Sequence, residues 1–279
     1  MLKRLNEFLI SVLLLPVFLF GQSMYFDGTE AYIFSNDIDI DGITTGDFTI
    51  MWWMKLDAAG AGTLLLREYE NTTNNTFIQT NSNFMELFVE TPAGEPIINI
   101  KSNDNPSNWG TAGDLSDGKW HLWGIAADRD LNTGCIITCD GEEPANGYAV
   151  RVTSTSTMAG TNTRWAWSRS AAWMTGYIDD VGLWNGSLAT VADFVSALTD
   201  NDYSDGFGTV TTQPTFYHNF SQGSGQDFND SAGNGWTLGT DNTVNANDAA
   251  WSAENRPLTE DVAVLKFPKV TRSPRFPKY

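Results

Sequence analysis

The chain has 279 residues and carries 34 acidic against 16 basic side chains, a net charge of −18 at pH 7. Between residues 24 and 255 the imbalance sharpens to 31 acidic against eight basic. A surface of that sign repels phosphate backbones and excludes nucleic acid as a partner. Two cysteines exclude a disulfide scaffold.

Residues 1–23 read as a secretory signal peptide. Lys3 and Arg4 form its charged start, 8–20 is an apolar run too short to span a bilayer, and Gly21-Gln22-Ser23 offers a small-x-small cleavage site. An uncleaved N-terminal anchor is the competing reading. Cleavage predicts a secreted or cell-surface protein with no transmembrane segment left, and the remaining length can be held by one large β-domain.

From Tyr25 onward, short alternating runs are broken by Gly, Asn, Asp and Ser, the pattern of an all-β sandwich or jelly roll. Asp27-Gly28 is predicted to make the first tight turn. In the next strand Phe48, Ile50, Trp52, Met54 and Leu56 form an apolar face, while Thr49, Met51, Trp53 and Lys55 form a mixed one. Further strands are predicted at 62–67, 76–80, 84–90 and 96–101. The run 120–127 is apolar on both faces, which suits a central strand covered on each side. A hairpin loop at 130–134 leads to a strand 135–139, closed by Asp140-Gly141. Cys135 and Cys139 share one face of it, about 13 Å apart by strand rise, beyond disulfide reach, and read as buried small hydrophobes. Strands at 148–153 and 164–167 follow.

The stretch 176–201, GYIDDVGLWNGSLATVADFVSALTDN, organises the rest. It begins as a strand with Asp179, Val181 and Leu183 on one face and Ile178, Asp180, Gly182 and Trp184 on the other. After Asn185-Gly186 the period changes. Val191, Phe194, Val195 and Leu198 form one stripe of a short helix near 188–199, and Thr190 with Asp193 supplies a capping box.

These residues also carry a family resemblance. The stretch is similar to the G-x-I-D-D/E-V-x-I/L-W/Y-N-x-x-L signature of laminin-G-like, concanavalin A-like jelly-roll domains, a group that extends to pentraxins. YFDGTEAYIFS (25–35) with GDFTIMWWMKL (46–56), and DGKWHLWGIAADRDLNTGCIITCDG (117–141), match in the same order. The resemblance implies a two-sheet antiparallel sandwich closed by one helix, a fold that hosts many functions.

The segment 216–239, FYHNFSQGSGQDFNDSAGNGWTLG, resembles one that often precedes the first strand in this family, yet here it follows the helix. Too few residues remain for a second core, so 206–255 is expected to add strands to one domain spanning 24–255. Residues 256–279 read as a basic, proline-containing tail. Lys266, Lys269, Arg272, Arg275 and Lys278 are interleaved there with Pro268, Pro274 and Pro277. It either lies against the acidic body or attaches the protein to a surface partner.

Candidate chemistry is sparse. Asp37-Ile38-Asp39-Ile40-Asp41 is similar to the E-x-D-x-E strand of laminarinase-like glucanases, but Asp side chains fall short of the carboxylate separation that retaining hydrolysis needs. The only histidines, His121 and His218, give no nucleophile–base pair and no zinc set. Calcium is the expected cofactor, with Asp179, Asp180 and Asp27 as ligands at a rim and Asp140, Glu142 and Glu143 as a second oxygen-rich turn. The acidic residues that pentraxins place ahead of the signature strand are absent. Eleven tryptophans supply faces for pyranose rings. Trp165, Trp167, Trp173, Trp109 and Arg164 are the expected ligand contacts. The sequence therefore predicts a secreted, non-enzymatic domain that binds polysaccharide or glycoconjugate. An adhesion or assembly protein with a protein partner is the alternative, and a glucanase the third reading.

Overall fold

The computed structural model describes residues 23–28, 33–35, 46–57, 63–69, 75–81, 84–90, 96–104, 109, 117–152, 163–165, 174–238, 249–254 and 256. The first seven strands are β1 (Ser23–Asp27), β2 (Ile33–Ser35), β3 (Phe48–Leu56), β4 (Thr63–Tyr69), β5 (Asn75–Asn81), β6 (Phe84–Glu90) and β7 (Pro96–Ser102). They are followed by β8 (Trp120–Ala127), β9 (Ile136–Cys139), β10 (Tyr148–Val152), β11 (Thr163–Trp165) and β12 (Thr175–Asn185). Among the described residues one α-helix, α1 (Val191–Ala197), precedes β13 (Phe216–His218), β14 (Asp227–Asn229), β15 (Gly235–Leu238) and β16 (Ala250–Ser252).

They build two antiparallel sheets. One runs β16-β1-β12-β3-β8-β9 with β13 also paired to β12, and the other runs β10-β7-β6-β5-β4-β11-β2-β15-β14. The expected all-β, two-layer sandwich with one short helix is the observed fold. Its interior is lined by Met24, Ile50, Trp52, Trp123, Ile125, Ile137, Val181 and Leu183 from one sheet and by Ile33, Ile78, Leu87, Ile98 and Ile100 from the other. Cys135 and Cys139 are free and buried in the same core.

The seven-stranded sheet is covered on its outer face as well. Met51 and Trp53 of β3, Leu122 and Ala126 of β8 and Trp184 of β12 pack against Phe194 and Ala197 of α1 and against Tyr203, Phe207, Val210 and Tyr217 beyond it. Burying a ring such as Phe194 completely is worth about 1.5–3 kcal/mol. The capping box forms as expected, with Asp193 N–H donating to Thr190 Oγ1 and Thr190 N–H to Asp193 Oδ2 at 2.8 Å. The predicted stripe shifts, however. Asp193, Phe194 and Ala197 are buried, whereas Val195 is 49% exposed. The helix tilts Ala197 rather than Val195 onto the sheet.

Strict alternation also fails in β12. Its register against β3 shifts between Asp179 and Gly182, and Asp180 has φ 46°. This β-bulge inserts one residue, so Ile178 joins Val181 and Leu183 in the inner core instead of facing away from them. On the opposite edge of β12, β1 pairs along Thr175–Ile178 and β13 along Val181–Leu183, leaving the two aspartates at the gap between them. Strands beyond the helix enter both sheets, since β15 pairs with β2 and β16 with β1.

Candidate functional site

The bulge does more than bend a strand. Asp179 and Asp180 are both buried, and Arg256 reaches them from the far end of the chain. Arg256 Nε donates to Asp180 Oδ2, its Nη1 donates to the Asp200 carbonyl at 3.2 Å, and its guanidinium stacks 5.5 Å from the Trp53 ring and 5.4 Å from the Tyr203 ring. Tyr217 Oη donates to Asp180 Oδ1 at 2.5 Å, and Trp53 Nε1 donates to Tyr203 Oη at 3.0 Å. Burial, and then the neighbouring Asp180 charge, push the Asp179 carboxyl well above its ordinary range, outweighing the opposing pull of Arg256. With one guanidinium for two carboxylates, Asp180 carries the ionic partner, and burial raises its carboxyl as well.

That arrangement does not fit the calcium site expected from Asp179, Asp180 and Asp27. Arg256 already supplies the cation. Asp27 is exposed at the end of β1 opposite Thr175, four residues and about 13 Å along β12 from Asp179. The second oxygen-rich turn has protein partners of its own. Asp140 is bonded by His121 and the Leu122 N–H, and Glu143 Oε1 accepts from Tyr148 Oη at 2.7 Å. Arg256, expected to open the basic tail, belongs to the core.

Tyr217 links this network to a cleft. The cleft has a volume of about 320 Å³ and lies where β13, β14, β16 and the 219–231 loop meet. Its floor is aromatic. The rings of His218 and Phe220 stack at 5.3 Å, and Trp251 packs edge-on against Phe228 at 5.3 Å and Phe220 at 6.5 Å. Phe220 holds φ 46°, a left-handed conformation that a non-glycine residue adopts at a cost. His218 is 2% exposed and its Nε2 has no hydrogen-bond partner. Burial lowers its pKa to about 3, so the ring is neutral at pH 7.

The walls are polar and, among the described residues, hold no Lys or Arg. Asp202, Asn219, Ser221, Gln222, Asn229 and Ser231 are exposed around the rim. Asp230 beside them is structural: it accepts from the Ala232 and Asn234 N–H groups, each at 2.9 Å, from Asn234 Nδ2 at 2.7 Å and from Trp236 Nε1 at 3.1 Å. Half-buried Trp251 is steadied by its Nε1 bond to the Gly225 carbonyl at 2.8 Å. An apolar floor with neutral amides and hydroxyls at the edge suits an uncharged polyhydroxylated ligand.

Of the residues expected to bind ligand, the structure describes the side chain of Trp109. Trp109 is not at a rim. It is fully buried, edge-on to Trp123 at 5.2 Å, and donates from Nε1 to the Glu142 carbonyl at 3.1 Å. Arg164 and Trp165 lie on β11, in register with Phe34 and Ile33. Their side chains lie outside the described residues, as do Trp167, Trp173, the Asp37–Asp39–Asp41 triplet, residues 1–22 of the signal segment and 257–279 of the basic tail. Ser23, the last residue of the expected signal segment, opens β1, where it is buried and its Oγ donates to the Glu254 carbonyl at 2.7 Å. Sequence reasoning passed over Trp251, which stands alone in its stretch. Its one sign in the sequence is the Phe-Tyr-His-Asn-Phe run ahead of it, whose pattern predicts an added strand.

His121, the second histidine, lies between Asp140 and Asp117. Cys139 beside it is fully buried, and burial pushes its thiol well above the ordinary range, so the group is no thiolate nucleophile. No helix among the described residues is long and apolar enough to cross a membrane.

Residues 27–192 match the family described as the concanavalin A-like lectin/glucanases superfamily. The chain matches no curated protein sequence. Among solved structures, it is 13% identical to the binding domain of botulinum neurotoxin DC in complex with rat synaptotagmin II, with a TM-score of 0.41 over 60% of this chain and 38% of that one. The botulinum neurotoxin serotype G binding domain is 11% identical, with a TM-score of 0.42 over 59% and 36%. Domain 4 of AbnA, an extracellular arabinanase of Geobacillus stearothermophilus, in complex with arabinotriose, is 11% identical, with a TM-score of 0.44 over 62% and 74%. The chain thus spans less than two-fifths of either toxin binding domain.

Proposed function

The chain belongs to the concanavalin A-like lectin/glucanase superfamily, and on that premise we propose that it is a secreted, non-catalytic domain that binds carbohydrate in the Trp251 cleft. The observation that carries this reading is the pairing of a half-exposed Trp251 with a rim of Asn, Gln and Ser side chains over an aromatic floor. A pyranose would lay its C–H face on the indole while its hydroxyls exchange hydrogen bonds with the amides. Among the described residues the rim carries Asp202 and no Lys or Arg, which favours neutral over acidic sugars. The segment 164–173 is proposed as a secondary contact through Arg164, Trp165, Trp167 and Trp173, and the basic tail as an attachment to an acidic surface.

A glycan array followed by calorimetry on the strongest ligand tests the reading. Trp251→Ala should weaken binding by about 1–3 kcal/mol, the value of one stacked ring lost, without altering the far-UV spectrum. Silence across neutral polysaccharides would overturn it in favour of an adhesion or assembly role with a protein partner. Reducing-sugar release that Asp39→Asn abolishes would instead establish a hydrolase. Sequencing the secreted protein's N-terminus tests export and cleavage after Ser23.

A further inference from the structure

The β8–β9 hairpin gathers three different donor groups at a place remote in sequence from the cleft. Asp140 and Gly141 have φ 51° and 73°, and the backbone groups of Cys139 and Glu142 bond each other at 2.9 Å in both directions. This is a two-residue hairpin with both central residues left-handed, which folds the Asp140 carboxylate back toward β8. One nitrogen of His121, the Cys139 Sγ and one oxygen of Asp140 consequently lie within 4.8 Å of one another.

We propose that His121, Cys139 and Asp140 form a binding site for a divalent transition metal of the zinc type, with Asp117 positioning the imidazole. Zinc takes thiolate sulfur at about 2.3 Å and imidazole nitrogen or carboxylate oxygen at about 2.0–2.2 Å, so donors in its shell sit about 3–4 Å apart. The three atoms need only small side-chain shifts to reach that spacing. One is the opening of the His121 Nδ1–Asp140 Oδ2 contact, 2.7 Å, where a metal would replace the shared proton.

The surrounding groups fit the same reading. Asp117 Oδ1 lies 3.3 Å from His121 Nε2, so it accepts that N–H and leaves Nδ1 as the ligand, the carboxylate–histidine–metal arrangement that fixes tautomer and ring orientation. Asp117 is itself held by the Lys119 N–H at 2.8 Å. Asp140 Oδ1 accepts from the Leu122 N–H at 2.8 Å, leaving Oδ2 for the metal. Cys135 offers the internal contrast: its Sγ donates to the Asp128 carbonyl at 3.4 Å, so it has a structural partner. The side chains of Asp140 and Asp117 are 29% and 23% exposed, giving a route in and room for water as fourth ligand. A sulfur and nitrogen donor pair selects zinc-type ions over calcium or magnesium. Binding balances as Zn²⁺ plus the thiol and the shared His121–Asp140 proton giving the complex and the released protons.

Chelator-treated full-length protein titrated with Co²⁺ should take up one equivalent. It should show the visible bands of tetrahedral cobalt and a thiolate-to-cobalt charge-transfer band, both displaced by Zn²⁺. Cys139→Ser should abolish the charge-transfer band and Cys135→Ser should keep it, while Asp117→Asn should weaken binding by about 10–100-fold. X-ray absorption of the zinc-loaded wild type needs no variant and should show one sulfur at about 2.3 Å. An octahedral cobalt spectrum, a band that survives Cys139→Ser, or a zinc shell without sulfur would each overturn the proposal.

Discussion

Replacing Arg256 by Met keeps an apolar stem beside Trp53 and Tyr203 and removes the charge together with the hydrogen bonds to Asp180 and the Asp200 carbonyl. The residue is 4% exposed and is the cation for a carboxylate that is equally buried. Breaking a buried pair from one side leaves an uncompensated charge and costs about 3–5 kcal/mol. For a domain of this size each kcal/mol moves the midpoint by about 2–4 °C, so Arg256→Met should melt about 6–20 °C below wild type. Asp180→Asn suits the partner position, because Asn tolerates the left-handed backbone there. The double variant Arg256→Met/Asp180→Asn should recover about 0.5–3 kcal/mol relative to the sum of the single changes. Urea unfolding of all four proteins, with equal m-values, measures the cycle. If Arg256→Met lies within about 1 kcal/mol of wild type, or if the two changes simply add, then Arg256 does not pin the C-terminal segment to the bulge.

Three further perturbations follow from the same packing. A Cβ at Gly124 would lie 2.2 Å from the Phe194 ring, so Gly124→Ala should cost about 1–3 kcal/mol by lifting α1, read as a lower urea midpoint and greater exchange of helix amides. Burial alone would raise the Asp193 pKa, but hydrogen bonds from Thr190 and Thr209 bring it below 3.8. Its contribution is therefore full above pH 3.8 and lost as pH falls through the folded-state value, and an Asp193→Ala variant should show a smaller loss of stability over that window. Asp179 has the opposite sign, with a folded pKa raised by burial and by Asp180, so stability falls as pH rises from 3.8 toward that pKa. Asp179→Asn should flatten this decline and raise the midpoint at pH 7, by about 1.4 kcal/mol for each pH unit of the shift.

What the sequence made legible was whatever is encoded by near neighbours. Phe84–Glu90 and Trp120–Ala127 have the predicted bounds, and the Thr190–Asp193 capping box needs only three residues to declare itself. Period-two reading broke at Asp179–Asp180 for a specific reason. Nothing in I-D-D-V announces an inserted residue, because the bulge lies at the gap between β1 and β13, two strands separated by the chain from Asp27 to Phe216. Trp109 misled in the same way. Its neighbours are polar and suggest a loop, while its ring is taken up by Trp123 and its indole N–H by the Glu142 carbonyl.

The cleft is the extreme case of this dependence on distant pairing. Trp251 reaches Phe228 and Phe220 only because β16 pairs with β1 at Met24↔Trp251, closing a loop of more than 220 residues. Phe220 can stack on His218 only because β13 takes the stretch of β12 that the bulge leaves uncovered. Tyr217, the residue between bulge and cleft, bonds Asp180 through its hydroxyl while its carbonyl accepts the Ser231 N–H of the cleft wall. Removing Arg256 should therefore disturb the ligand site as well as the fold. A carbohydrate that binds the wild type should bind Arg256→Met more weakly even below its melting range, whereas Gly124→Ala, on the far side of β8, should cost stability without that loss.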